Sequence, residues 1–440
     1  MTPKSIVPTA IIPRAIVSKV IIPTAIVPKN RAPRINSKGQ IEIAFNWIYI
    51  LIAGAVILLF FVGIVVKQKT VSEQNLATEV VRLLDSIFIA ASSADQSKIF
   101  LDTQGLKDYT LYFNCEGGVS EYGIKGQGLP LQNEIDPVFA PLEFNTRGLI
   151  LWSLPYKFPY KVIDFLFLSP QGMKYLLLGS GVSNSLDDFK HNFISAAEDL
   201  NPNLRLEVVE LNSVSDLNDL AVNSNELLRI VDFDGDIIIE NSPIPSQFLN
   251  SEVSVVQFKT DGQNKAVYYY KKGKNGNWER LKNFDPVKPV PIVSLDEEDT
   301  AKYAAIFSGN DETYWCNMQK ALVRLGLVNK VYSLKTEQII NYYEQDNLLE
   351  PAKIVNQCRF LLNAQGDQEV NVPSNNINSN NFNQNNFLPG NLNKDLGSIA
   401  GSISGCTELK QCADLIMAAR RLNSADQLLP DYSCKNLFSS

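Results

Sequence analysis

The stretch WIYILIAGAVILLFFVGIVV, residues 47–66, constrains this chain more than any other. It holds twenty residues without a charge. As an α-helix it would measure about 30 Å, the thickness of a bilayer's hydrocarbon core. It separates a short basic leader from a long acidic remainder. It therefore predicts an anchor and an address before it predicts any activity.

The leader, residues 1–39, carries Lys4, Arg14, Lys19, Lys29, Arg31, Arg34 and Lys38 and no acid, although the whole chain has a net charge of -7. Only Lys67 and Lys69 follow the apolar run closely. This bias predicts a cytoplasmic N-terminus, a single span and a body outside the membrane. An acidic body argues against nucleic acid as a partner. Within the leader, Val7-Pro8-Thr9-Ala10-Ile11-Ile12-Pro13-Arg14 returns as Ile22-Pro23-Thr24-Ala25-Ile26-Val27-Pro28-Lys29. Its prolines forbid a continuous helix and favour an extended tail.

All six cysteines follow the apolar run. On the outer side of a membrane they are expected to form disulfides. Cys316 and Cys358 fall in one helical region and are the expected pair. Cys406 and Cys412 lie in a predicted helix over residues 396–422, where six residues rise about 9 Å. That is beyond disulfide reach, so these two are expected not to pair with each other. The chain has one histidine, His191, and no CxxC. No metal site and no cofactor are expected.

Ser37-Lys38-Gly39-Gln40-Ile41-Glu42-Ile43-Ala44-Phe45-Asn46 leads straight into the apolar run. This segment resembles the type IV pilin-like, or class III, signal of archaeal surface proteins. The resemblance implies cleavage between Gly39 and Gln40, with Glu42 as the early acid. It also implies like subunits that associate through their N-terminal helices, and a helix that continues beyond the membrane. The alternative is an uncleaved signal anchor.

Residues 67–95 read as an amphipathic helix or stalk, with Leu76, Val80, Leu83, Leu84, Ile87, Phe88 and Ala91 on one face. Residues 100–285 then read as an α/β ectodomain. Strands are expected at 110–114, 149–154, 162–168, 175–178, 204–211 and 227–233, with helices at 185–200 and 214–222. Asp234-Gly235 and Asp261-Gly262 read as hairpin turns. Residues 294–364 form a helical unit opened by Asp296, Glu297, Glu298 and Asp299, acids that suit a helix N-terminus. An Asn-rich linker, 365–393, leads to a C-terminal helix and a Cys-containing tail over 394–440.

Three constellations invite chemistry and fail on detail. Gly179-Ser180-Gly181-Val182-Ser183-Asn184 lacks the third glycine of GxGxxG and the lysine of a P-loop, and reads as a turn with a helix cap. Asp232, Asp234 and Asp236 lack the glycine and glutamate spacing of an EF-hand loop. Asp187, His191 and Ser195 share a helical stripe, but nothing places an oxyanion hole beside them. The expected fold class is therefore mixed α/β (α+β), with a long N-terminal helix and a C-terminal helical unit. The expected function is a membrane-anchored, non-catalytic surface protein of assembly or adhesion. A membrane-anchored enzyme or ligand-sensing receptor using the α/β ectodomain is the alternative.

Overall fold

Helix α1 (Gln40–Ser93) runs unbroken for 54 residues. The computed structural model describes residues 40–93, 97–179, 205–210, 214–220, 222, 227–233, 235, 238–261, 264–281, 289–295, 299–345, 392–407, 409–430, 434 and 436–438. The chain divides into two bodies, Met1–Gln68 and Lys69–Ser440. In the first, every described residue belongs to α1, and Leu51, Val56, Ile57, Leu58 and Leu59 are exposed. Among the described residues, no helix is long and apolar enough to cross a membrane. Of the charge-free run, side chains are described for residues 51–59.

In the second body the remainder of α1 is a packed core element. Ala77, Val81, Leu84, Phe88 and Ala91 are buried, at alternating steps of four and three. That spacing keeps one stripe on the same side of a helix. The stripe packs on Leu111, Phe113, Tyr122, Phe144, Leu149 and Leu166. It is rotated slightly from the expected face, because Leu83 is 59% exposed. Asp85, on the expected polar side, accepts a hydrogen bond from the Tyr122 hydroxyl.

Three sheets follow. The first orders β1 (Lys98–Asp102), β7 (Gly148–Lys157), β8 (Lys161–Pro170) and β5 (Val138–Phe139). Both faces of its central hairpin are buried, which explains the near-continuous apolar run LILW and FLFL. Leu149, Leu151, Leu166 and Leu168 face the core that α1 enters. Trp152, Tyr156, Phe165 and Phe167, one residue out of step, face the larger core. The second four-stranded sheet orders β4 (Gln127–Asn133), β3 (Val119–Ile124), β2 (Leu111–Glu116) and β6 (Glu143–Phe144).

The largest sheet has seven strands. β9 (Met173–Gly179), β10 (Arg205–Glu210), β11 (Leu227–Asp232) and β12 (Glu252–Asp261) run parallel in the order β10-β9-β11-β12. β13 (Asn264–Lys272) then pairs antiparallel with β12, Asp261 opposite Asn264, as the Asp261-Gly262 signal predicts. β14 (Trp278–Arg280) and β15 (Val290–Pro291) also pair with β13. The hairpin expected at Asp234-Gly235 does not form, since both neighbours of β11 are parallel to it. Gly235 does turn the chain, with φ +76°, and a Cβ there would lie 2.3 Å from the Phe258 carbonyl.

Helix α2 (Thr300–Phe307) and helix α3 (Asp311–Gln345) cover these sheets, with α4 (Leu392–Ile403) and α5 (Leu409–Leu428) packed beside them. Asn310 starts α3: its Oδ1 accepts from the Thr313 amide at 2.8 Å, satisfying an otherwise orphaned donor. Gly309 passes so close to the β5–β6 loop that a Cβ would meet the Leu142 amide at 2.6 Å. The single helix expected over 396–422 is two helices. Gly401-Ser402-Ile403-Ser404-Gly405 is poor in helix formers, and the chain turns after Ile403. The fold is thus mixed α+β.

Candidate functional site

The residues singled out from the sequence are distributed widely. Gly39 lies outside the described residues. Gln40 is the first residue of α1, and Glu42 follows one half-turn later. The stretches 180–184 and 185–200, with Asp187, His191 and Ser195, lie outside the described residues, as do Asp234, Asp236 and Cys358.

Among the described residues two cysteine pairs have both partners placed at disulfide distance, and both correct the sequence expectation. Cys316 pairs with Cys115, not Cys358, with Cα atoms 5.7 Å apart across 201 residues. Helix α3 lays its first turns on β2, a long-range contact that helical periodicity does not encode. Cys406 pairs with Cys412 at a Cα separation of 4.4 Å. The turn between α4 and α5 brings them together where one continuous helix would hold them apart. Cys434 is also disulfide-bonded.

One turn beyond Cys316, α3 sends Lys320 into the same sheet. Its ammonium donates to Ser120 Oγ at 2.7 Å, to the Asn133 carbonyl at 2.7 Å and to the Asp136 carbonyl at 3.2 Å. Ser120 in turn donates to Asn317 Oδ1 at 3.0 Å, and the Val138 amide donates to the same oxygen. Burial lowers the Lys320 pKa to about 8, and the nearby Asp136 and Glu134 charges oppose that shift. A serine against a lysine of depressed pKa is the geometry of a nucleophile and its base. Here the ammonium's three protons meet three acceptors, Ser120 passes its proton to asparagine, and Ser120 is 3% exposed. The group is a strap between α3 and the sheet.

Two more buried polar groups serve the backbone. Asp232, at the end of β11, accepts from the amides of Gly235 and Ile238 and from Gln257 Nε2 at 2.8 Å. Tyr270 donates to the other end of Gln257 at 3.0 Å. This chain shapes the turn after β11 and explains Asp232 without calcium. Arg229, in the middle of β11, is 3% exposed. It donates to the carbonyls of Ala305, Ile306 and Ser308, the end of α2. Burial lowers its pKa, opposed by the nearby Tyr269 and Tyr175. A charge inside LLRIVDF gives the sequence reader no hint of this role.

A cleft of about 400 Å³ opens where the end of α1, the loop before β5, the start of β8 and α3 converge. Ser92, Ser93, Asp136, Lys161, Asp164 and Arg324 supply its polar lining. Lys161 and Asp164 form an ion pair at 3.0 Å. Among the described residues no cluster of three or more His, Cys, Asp or Glu is placed to hold a metal ion. No family model, curated protein or solved structure matches this chain.

Proposed function

We propose that this is a single-pass membrane protein with a cytoplasmic N-terminus and an extracytoplasmic body, acting in surface assembly or adhesion and not in catalysis. The carrying observation is the charge-free run 47–66 inside the helix Gln40–Ser93. The exposed Leu51, Val56 and Leu59 are at home in lipid and costly in water. The basic leader supports the orientation, and the cysteine pairs support an oxidising compartment. The non-catalytic reading rests on Lys320, Asp232 and Arg229, whose hydrogen bonds are spent on holding backbone in place.

The pilin-like resemblance of Gly39-Gln40-Ile41-Glu42 extends the reading. Cleavage after Gly39 would free an amine two residues from Glu42, and a carboxylate in a low-dielectric setting favours a cationic neighbour. Like subunits are then the natural partners of α1, with the lipid bilayer. Alkaline carbonate extraction tests the anchor. The full chain is expected in the membrane pellet and a chain deleted for 47–66 in the supernatant. Release of the full chain would refute the anchor.

A further inference from the structure

The cleft beside the Lys320 strap is lined by opposite charges and by apolar side chains. Arg324 supplies the positive side. It is exposed, and no hydrogen bond or ion pair engages it among the described residues. The negative side has two sources. Asp136 lines the cleft; one carboxylate oxygen accepts from Asn133 Nδ2 at 3.3 Å, and its charge also acts on the Lys320 ammonium. Ser92 and Ser93 mark the carboxyl end of α1, where backbone carbonyls concentrate negative potential, and the last turn of that helix carries no basic residue. Both hydroxyls donate back to the Ile89 carbonyl, so what they offer the cleft is acceptor lone pairs. The ion pair of Lys161 with Asp164 is already made. Ile163 and Val328 line the space as partly buried apolar side chains continuous with the main core.

We propose that this cleft binds a small solute carrying an ammonium, a carboxylate and an aliphatic body, that is, a free aliphatic amino acid. Arg324 takes the carboxylate, since a guanidinium matches two carboxylate oxygens. Asp136 and the end of α1 take the ammonium. Ile163 and Val328 meet the hydrocarbon. The volume falls in the range of small-molecule sites, and convergent polar groups fix orientation in such sites. An anion alone would satisfy Arg324 and leave Asp136 and the carbonyl end of α1 facing it. A simple amine would leave Arg324 without a partner. This binding is independent of the membrane anchor and adds a solute-responsive element to the body.

The test is calorimetric titration of the detergent-purified full chain with leucine, 4-methylpentanoate and isoamylamine. These share a hydrocarbon body and differ in which charges they carry. Leucine is expected to bind saturably, and each single-charge analogue at least tenfold more weakly. Arg324→Ala is expected to weaken leucine at least tenfold and leave isoamylamine unchanged. Asp136→Asn is expected to weaken leucine and isoamylamine and leave 4-methylpentanoate unchanged. Arg324 is exposed, so its variant keeps the fold, which an unchanged melting temperature verifies. Absence of saturable leucine binding overturns the proposal. So does equal binding of leucine and 4-methylpentanoate, or leucine affinity untouched by Arg324→Ala.

Discussion

Lys320 on α3 donates to Ser120 on β3 at 2.7 Å, one helical turn beyond the Cys316–Cys115 disulfide. Covalent and ionic links thus fasten the same face of one helix to the same sheet. Burying the ammonium carries a cost that depends on pH. Its pKa in the folded chain, about 8, is below the ordinary value of 10.5. Below pH 8 both folded and unfolded chains hold the proton, and the cost is fully present. Between about pH 8 and 10 the unfolded chain binds more protons, so stability rises with pH, by on the order of 2 kcal/mol. Above about pH 10 the buried Tyr175 and Tyr270, pushed up to about 12 by burial, reverse the trend. The denaturant midpoint of the wild type is expected to be higher at pH 9.5 than at pH 7.5. Lys320→Met is expected to lose that gain.

Removing the disulfide alone should be costly. It closes a loop of 201 residues, for which chain entropy predicts about 5 kcal/mol at most and practice about 2–5. Cys115→Ser with Cys316→Ser is expected to lower stability within that range while the spectroscopic signature of the fold persists. A loss below about 1 kcal/mol would mean that the strap and core fix α3 without the bridge.

Arg229 closes the end of α2 from the middle of a parallel strand. Arg229→Met keeps roughly the volume and leaves the carbonyls of Ile306 and Ser308 without this donor, while Ala305 keeps the Tyr269 hydroxyl. The expected loss is about 2–4 kcal/mol, from orphaned buried acceptors. Urea unfolding measures it, and a neutral result would show that the carbonyls find other donors.

The parts of this fold legible in the sequence are those written in local periodicity or turn chemistry. Alternation marks β10, Asp261-Gly262 marks the β12–β13 hairpin, and the apolar runs of β7, β8, β9 and β11 mark buried strands. Asp234-Gly235 carries the same turn signal as Asp261-Gly262, yet there the chain turns into a crossover between parallel strands. Which strands become neighbours is decided by β9 and β12 across the sheet and not by the turn. Gly401, Ser402, Ser404 and Gly405 favour the break between α4 and α5, which the apolar spacing over 396–422 obscures. The Cys115–Cys316 pair and the strap could not be read locally, because their residues are some 200 positions apart. The cleft is equally non-local, since four separate segments meet there.

The proposed N-terminal processing rests on the pilin-like resemblance at Gly39 and Gln40. A mature chain beginning at Gln40 is expected on N-terminal sequencing of membrane-extracted protein. Gly39→Leu places a branched side chain where the peptidase requires close backbone approach and is expected to retain the leader. Normal maturation of that variant would leave an ordinary signal anchor.

In the proposed topology the run 47–66 spans the cytoplasmic membrane and places everything after it outside. External protease on intact spheroplasts, followed by blotting for an N-terminal tag and a C-terminal tag, tests it most directly. The C-terminal tag is expected to vanish while the N-terminal tag survives on a short membrane-bound fragment, provided a Gly39→Leu background keeps the leader attached. Protection of the C-terminal tag, with loss of the N-terminal one, would reverse the topology and contradict the account.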